Sequence, residues 1–351
     1  MRHIAAILGV LFISFQISFA SEAEHDEHHE KSEFNPGTMI VDHVIDAHEW
    51  HVMDIGHTHV SIPLPIILFC EGKLDVFMSS KFEHGHAEYK GYKLELEGEN
   101  KGKIVQVATG RLPLDLSITK NVFSMFFSMI LISIIFISIG RSYSRRKGKA
   151  PKGLQSFLEP LILFIRDDVA KASIGEKKYE KYLPYLLTLF FFIFLNNLLG
   201  LVPFFPGGAN LTGNIAVTGV MALFTFVITT INANKNYWVH IVNTPGVPWW
   251  LKIPVPLMPI VELMGVFTKP FVLMVRLFAN ITAGHIIVLG FMSLIFIFGN
   301  INTGIGYGVS VVSVSFAVFM GLLEILVAFI QAYVFTLLSA LYFGMATEEH
   351  H

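Results

Sequence analysis

Apolar residues dominate five stretches in the second two thirds of the chain, near residues 118–140, 183–204, 211–232, 254–298 and 305–346, whereas the first third alternates apolar with polar positions. A bilayer core of about 30 Å needs about 20 apolar helical residues, so each stretch predicts a transmembrane helix and together they predict an all-α membrane domain over 118–350. Arg141, Arg145, Arg146, Lys147, Lys149 and Lys152 follow the first stretch, and Lys235 and Lys252 flank the connection before the fourth. The turns Pro206–Asn210 and Gly299–Gly308 carry no charge. Positive charge collects on the cytoplasmic side, which predicts an exported N-terminal region, five crossings and a cytoplasmic C-terminus. Between the first two spans, residues 153–173 mix Phe157, Leu161, Phe164 and Ile165 with Arg166, Asp167, Asp168 and Lys171, the pattern of an amphipathic helix at the inner interface.

The last two stretches are too long to stand upright. As continuous helices they measure roughly 60 to 70 Å, which predicts a steep tilt, on the order of 60°. Kinks at Pro270 and Gly321, with part of each helix outside the bilayer, are the competing solution.

The chain opens on Met1-Arg2-His3, an apolar run to Phe19 and a small-residue end before Ser21-Glu22, which reads as a signal peptide over 1–20. Residues 21–117 then form a polar domain expected outside the cytoplasm. Tyr92–Glu97 and Ile104–Val107 alternate in the strand period, so the domain is expected to contain strands.

Composition narrows the picture. The chain is 53% hydrophobic and only 15% charged, with a net charge of −2, which leaves no case for a nucleic-acid binder. The single cysteine, Cys70, excludes an intramolecular disulfide framework and a multi-thiolate metal site. Ten of the 15 histidines fall in 21–117, among them His25, His28, His29, His48, His51, His57, His59, His84 and His86. None follows the helical His-Glu-x-x-His spacing, so metal binding competes with a plain solvated polar surface.

Between Ile253 and Ala346 stand four formal charges, Glu262, Lys269, Arg276 and Glu324. An arginine near a helix centre costs roughly 2.5 to 3.5 kcal/mol on insertion scales, so each demands a partner or an aqueous cavity. Glu262, Lys269 and Arg276 are seven apart, a drift of only about −20° per step, and Asn280 follows one turn later on the same stripe. His285 falls on the opposite side, and Glu324 and Gln331 share a face of the last helix. Two polar faces around one arginine suggest two aqueous approaches; a buried Arg276–Glu324 salt bridge that fixes helix packing is the structural alternative.

The segment Lys269-Pro270 followed by Arg276-Leu277-Phe278-Ala279-Asn280-Ile281-Thr282-Ala283-Gly284-His285 closely resembles the signature helix of subunit a of F-type ATP synthases. Glu324–Phe335 resembles that family's final helix, and Met345–His350 its tail. Asn196–Pro203 and Asn210–Asn214 resemble its second and third spans, so the likeness covers roughly 118–350.

That resemblance implies a proton-translocating stator with two half-channels that do not meet, serving the carboxylates of a rotor ring of small c subunits. Arg276 matches the family's essential arginine: a guanidinium keeps its charge at biological pH, so it attracts a ring carboxylate without relaying a proton. Glu324 and His285 match outer half-channel positions, Glu262 one near the inner exit, and Asn280, Gln331 and Asn214 polar positions of the ion path. Peripheral-stalk b subunits, membrane lipids and, indirectly, the soluble ATP-synthesising sector are the implied partners, with no cofactor, no metal and no catalytic residue of its own. No glycine-rich phosphate loop is present, so ATP chemistry belongs to other subunits.

Many bacterial members carry glutamate where this chain has His285 and histidine where it has Glu324, so the pair looks swapped. Gly200 replaces a common acidic residue, and residues 21–117 exceed the family's usual N-terminal extension. A secondary ion-coupled transporter is the main alternative, but it predicts internal repeats with broken helices, and none is detected. An intramembrane hydrolase requires a nucleophile or metal constellation that the spans lack.

Overall fold

The computed structural model describes residue 37 and residues 46–55, 58–96, 98, 100–145, 150–202, 205–242 and 257–348. The expected signal peptide, His25, His28, His29, His57, the basic residues Arg146, Lys147 and Lys149, and the tail Glu349–His351 lie outside these residues. The chain divides into two compact units, Met1–Met125 with Val202–Ala209, and Phe126–Leu201 with Asn210–His351.

The first unit is rich in strands. β1 (Glu49–Ile55) and β2 (Thr58–Pro63) form a hairpin, β3 (Pro65–Cys70), β4 (Lys73–Met78) and β7 (Leu114–Asp115) form a sheet in the order β4-β3-β7, and β5 (Tyr92–Leu94) pairs with β6 (Ile104–Gln106). All pairs are antiparallel. Successive side chains in a strand point to opposite faces, so Ile66, Leu68 and Phe77 go inward and pack with Phe82, Tyr92 and Ile104. Phe69, Leu74 and Val76 take the other face and are exposed.

The second unit is helical and continues from α1 (Lys120–Arg145), within which the division between units falls. α2 (Leu154–Phe164) passes into a wider π-type turn, Ile165–Lys171, and ends at Ile174, so a helix with a change of winding in its last turns occupies the stretch 154–174. α3 (Tyr179–Gly200), α4 (Ile215–Ile231), the short α5 (Lys235–Val242), α6 (Leu257–Ile301) and α7 (Thr303–Thr347) follow. α3 begins and ends about four residues before the expected 183–204, because Glu180 and Lys181 join its first turn and the chain leaves the helix ahead of Pro203.

Four helices, α1, α3, α6 and α7, are long and apolar enough to cross a membrane, and α4 is a shorter apolar helix of 17 residues. α6 and α7 run 45 residues each, about 68 Å apiece, and α6 continues through Pro270. They meet at a single non-helical residue, Asn302, which caps α7 by accepting a hydrogen bond from the Gly304 N–H at 2.8 Å. Glycines let them close tightly there: a Cβ on Gly306 would lie 2.8 Å from the Gly299 Cα. α7 packs on α6 and α3, and α4 packs on α6. The core gathers Phe190, Leu186 and Ile193 of α3, Leu273 and Leu277 of α6, and Ala332, Phe335 and Phe343 of α7. At its far end α7 presses on the end of α2, where any side chain on Gly344 would collide with the Ser173 carbonyl.

Candidate functional site

The α6–α7 hairpin carries all four formal charges of the apolar region, and helical repetition places them. Glu262 and Lys269 are half-buried, whereas Arg276 and Asn280 are exposed, so the stripe emerges from the packed side of α6 as it runs along the helix. Among the described residues no ion pair includes Glu262, Lys269, Arg276 or Glu324. The Arg276–Glu324 bridge that spacing left open is absent.

What holds Arg276 is its backbone. Gln331 of α7 is 3% exposed and its Nε2 donates to the Arg276 carbonyl at 2.8 Å, so the two helices are pinned at this level. Leu273 and Leu277 beside it are buried, and a small cleft is lined by Leu273, Arg276, Leu277, Gln331 and Phe335. A neutral amide spends itself on the carbonyl and leaves the guanidinium free to act on something else.

Glu324 reaches α6 next to His285. A Cβ on Gly284 would lie 2.5 Å from Glu324 Oε1, so the carboxylate occupies the space that the missing side chain leaves. Both Glu324 and His285 are half-buried. The carboxylate is therefore held against α6 at the residue preceding His285, whose own position falls opposite Arg276 by helical repetition. On the Arg276 side, Lys269 Nζ sits 5.6 Å from the centroid of the Tyr342 ring, within cation–π range, and lines a cleft with Thr225, Thr229, Tyr237 and Tyr342.

Several polar residues carried by the sequence only as parts of motifs prove to connect these helices. Asn197 of α3 donates to the Ala328 carbonyl of α7 at 3.2 Å and accepts from Thr212 at 2.6 Å. Thr282 of α6, one turn before His285, donates to the Gly213 carbonyl at 3.5 Å. The one signal for them was their polarity within apolar stretches. Asn214 is placed differently from the other predicted site residues: its side chain caps α4, accepting from the Ala216 N–H at 2.9 Å. Among the described residues no three His, Cys, Asp or Glu side chains gather as metal ligands. His48 pairs with Asp115 at 2.7 Å and His84 with Glu49 at 2.9 Å.

A family model described as ATP synthase A chain matches residues 122–344, and one described as a domain of unknown function matches 39–122. The chain is 45% identical over 245 residues to "ATP synthase subunit a" of Chloroherpeton thalassium, covering 67% of this chain and 69% of that one. It is 47% identical over 245 residues to "ATP synthase subunit a" of Chlorobium phaeobacteroides, covering 67% of each. It is 40% identical over 323 residues to "ATP synthase subunit a 2" of Chlorobaculum tepidum, covering 90% of this chain and 75% of that one. The last alignment omits only a tenth of the chain and so runs well into the strand-rich unit. That unit is shared with a relative, although the resemblance read from motifs alone placed it outside the family's pattern.

Proposed function

The chain belongs to the ATP synthase A chain family, the proton-translocating stator of the ATP synthase membrane sector, and from that premise we propose how its residues divide the proton's path. It is a multi-pass membrane protein and a channel subunit, not itself catalytic.

In our reading α4 joins the four longer helices as a fifth crossing, and α6 and α7 lie steeply tilted, because upright helices of this length would overshoot the bilayer about twofold. The strand-rich unit lies outside the cytoplasm and the C-terminus inside, in the inner membrane. The exposed stripe of Arg276 and Asn280 faces a rotor ring of small c subunits, and b subunits and lipids cover other surfaces.

One half-channel opens from the outside to Glu324 and His285, and the other leads past Lys269 and Glu262 to the inside. A ring carboxylate that has released its proton inward becomes an anion. It meets Arg276, whose guanidinium stabilises the charge and cannot lose a proton itself, so the two half-channels stay separate. Rotation then brings the carboxylate to the outer path, where Glu324 and His285, both able to exchange protons with water, reload it. Gln331 contributes by holding α7 to the Arg276 backbone, and Asn214 by setting the start of α4. The observation that carries this reading is an arginine exposed on an apolar helix with no ion pair among the described residues.

Purification in mild detergent tests it. The chain is expected to copurify with a ring of small subunits and to drive no transport when reconstituted alone; solute-coupled transport by the isolated chain would overturn the stator reading in favour of a secondary transporter.

A further inference from the structure

An antiparallel sheet with its core on one side and water on the other alternates apolar with polar positions along each strand. The sheet β4-β3-β7 departs from that rule. Ile66, Leu68 and Phe77 fill its core side. The opposite side is apolar as well: Leu74 of β4 pairs with Phe69 of β3, which pairs with Leu114 of β7, and two residues along Val76 pairs with Ile67. Directly paired residues share a face, and Met78 and Leu116 extend the two outer rows at the strand period. Phe69, Leu74, Val76, Met78, Leu114 and Leu116 are 42% to 60% exposed, and no charged residue stands among the paired positions on this face. Six large apolar side chains side by side expose on the order of several hundred Å², the extent at which a surface patch marks a binding site.

The chain's own connectivity says what lies beside the patch. Pairing along β3 continues past β7, with the Leu116 N–H donating to the Ile67 carbonyl at 2.9 Å and the Ile118 N–H to the Pro65 carbonyl at 3.0 Å. Two residues later α1 begins at Lys120, and its first turn belongs to the same compact unit as the sheet. That junction is tied down: the Lys120 N–H donates to the Ala47 carbonyl at 2.9 Å, and Asp46 accepts from the Thr119 hydroxyl at 2.7 Å and the Asn121 N–H at 3.0 Å. α1 has 26 residues, about 39 Å of helix against a hydrocarbon core of about 30 Å, so its ends reach the headgroup layer. Two extended residues span at most about 7 Å, which keeps Ile118 and the start of β3 within or next to that layer. The apolar medium nearest the patch is the bilayer that α1 enters.

We propose that the outward face of the sheet β4-β3-β7 is a lipid-docking surface. Its six exposed apolar side chains lie in the boundary between headgroups and acyl chains, in the leaflet that α1 enters at Lys120, and the strand-rich unit rests on the membrane through them. The proposal depends on α1 crossing the bilayer and not on how the proton's path is divided.

The test is footprinting of the complete complex in lipid nanodiscs with two reagents, a phospholipid carrying a diazirine on its acyl chain and hydroxyl radicals generated in the water. Labelling is read by mass spectrometry of this chain and compared with the exposed Lys101 in the β5–β6 connection. Residues 69–78 and 114–116 are expected to take at least about fivefold more lipid label than the Lys101 turn and at least about fivefold less radical label, after correction for side-chain reactivity. Radical labelling as strong as at Lys101 would overturn the proposal, because the face then meets water. Protection from both reagents would overturn it too, because a second copy of this chain or another subunit then covers the face. Leu74→Glu combined with Leu114→Glu is expected to bring lipid labelling of the patch down to the Lys101 level in the assembled complex, and unchanged lipid labelling would also overturn the proposal. If that variant fails to assemble, the two-reagent comparison on the unmodified complex decides.

Discussion

The strand-rich unit and the α6–α7 hairpin hold charge in different ways. The strand-rich unit places several of its charged groups against partners: Lys90 with Asp75 at 2.9 Å and Lys93 with Glu95 at 3.2 Å, with His84 bonded to Glu49 and His48 to Asp115. The α6–α7 hairpin leaves Glu262, Lys269, Arg276 and Glu324 out of every ion pair among the described residues, in the place where an unpaired charge costs most. A paired charge in water adds little, typically under about 1 kcal/mol, and serves local structure. An unpaired charge on a lipid-length helix calls for a partner that comes and goes, and in the function proposed above that partner rides on the ring.

The contrast is broken most severely at Arg276. Arg276→Lys keeps the charge but substitutes a point cation that can give up its proton, and proton-driven synthesis in vesicles is expected to fall by about a hundredfold or more with the complex still assembled. Gly284 carries a smaller effect. In Gly284→Ala the new methyl displaces the flexible Glu324 carboxylate, and the synthesis rate is expected to drop about threefold to tenfold without loss of assembled complex, measured in the same vesicles.

The smallest effect belongs to the paired side. Burial alone would raise the Asp115 carboxyl, but hydrogen bonds from His48 and Ser117 outweigh it and hold the group below the ordinary carboxylate range. A depressed carboxyl contributes stability that is present above its unfolded value and is lost as the pH falls through the lower folded value. Asp115→Asn is therefore expected to cost about 1 kcal/mol at neutral pH, read as weaker amide-exchange protection in β7, and the difference from the unmodified protein should shrink as the pH falls below the ordinary carboxylate range.

Much of this arrangement was legible before any coordinates. Segment length and apolar content predicted the long helices, and a seven-residue spacing put Glu262, Lys269 and Arg276 on one stripe, because helix periodicity acts within one element. The strands β1 to β4 were harder, since His51, His59 and Thr58 interrupt the apolar alternation and pairing depends on the partner strand. Relations between elements stayed out of reach. Nothing in the spacing said that Glu324 would settle on Gly284 or that Gln331 would give its amide to the Arg276 carbonyl; each depends on the register of one helix against another. The Asn214 cap is local, reaching only to the Ala216 N–H, and was read instead as part of the ion path because the family motif carried it. Trp50 and Phe205 are 155 positions apart, and only the fold brings them together.

In the proposed function, Arg276 has its counter-ion on a moving neighbour. Determining the structure of the assembled complex in its successive rotary states measures this directly. The account predicts a ring carboxylate within about 4 Å of the guanidinium in at least one state and no carboxylate of its own chain there in that state. A guanidinium bound to Glu324 or Glu262 in every state would contradict it.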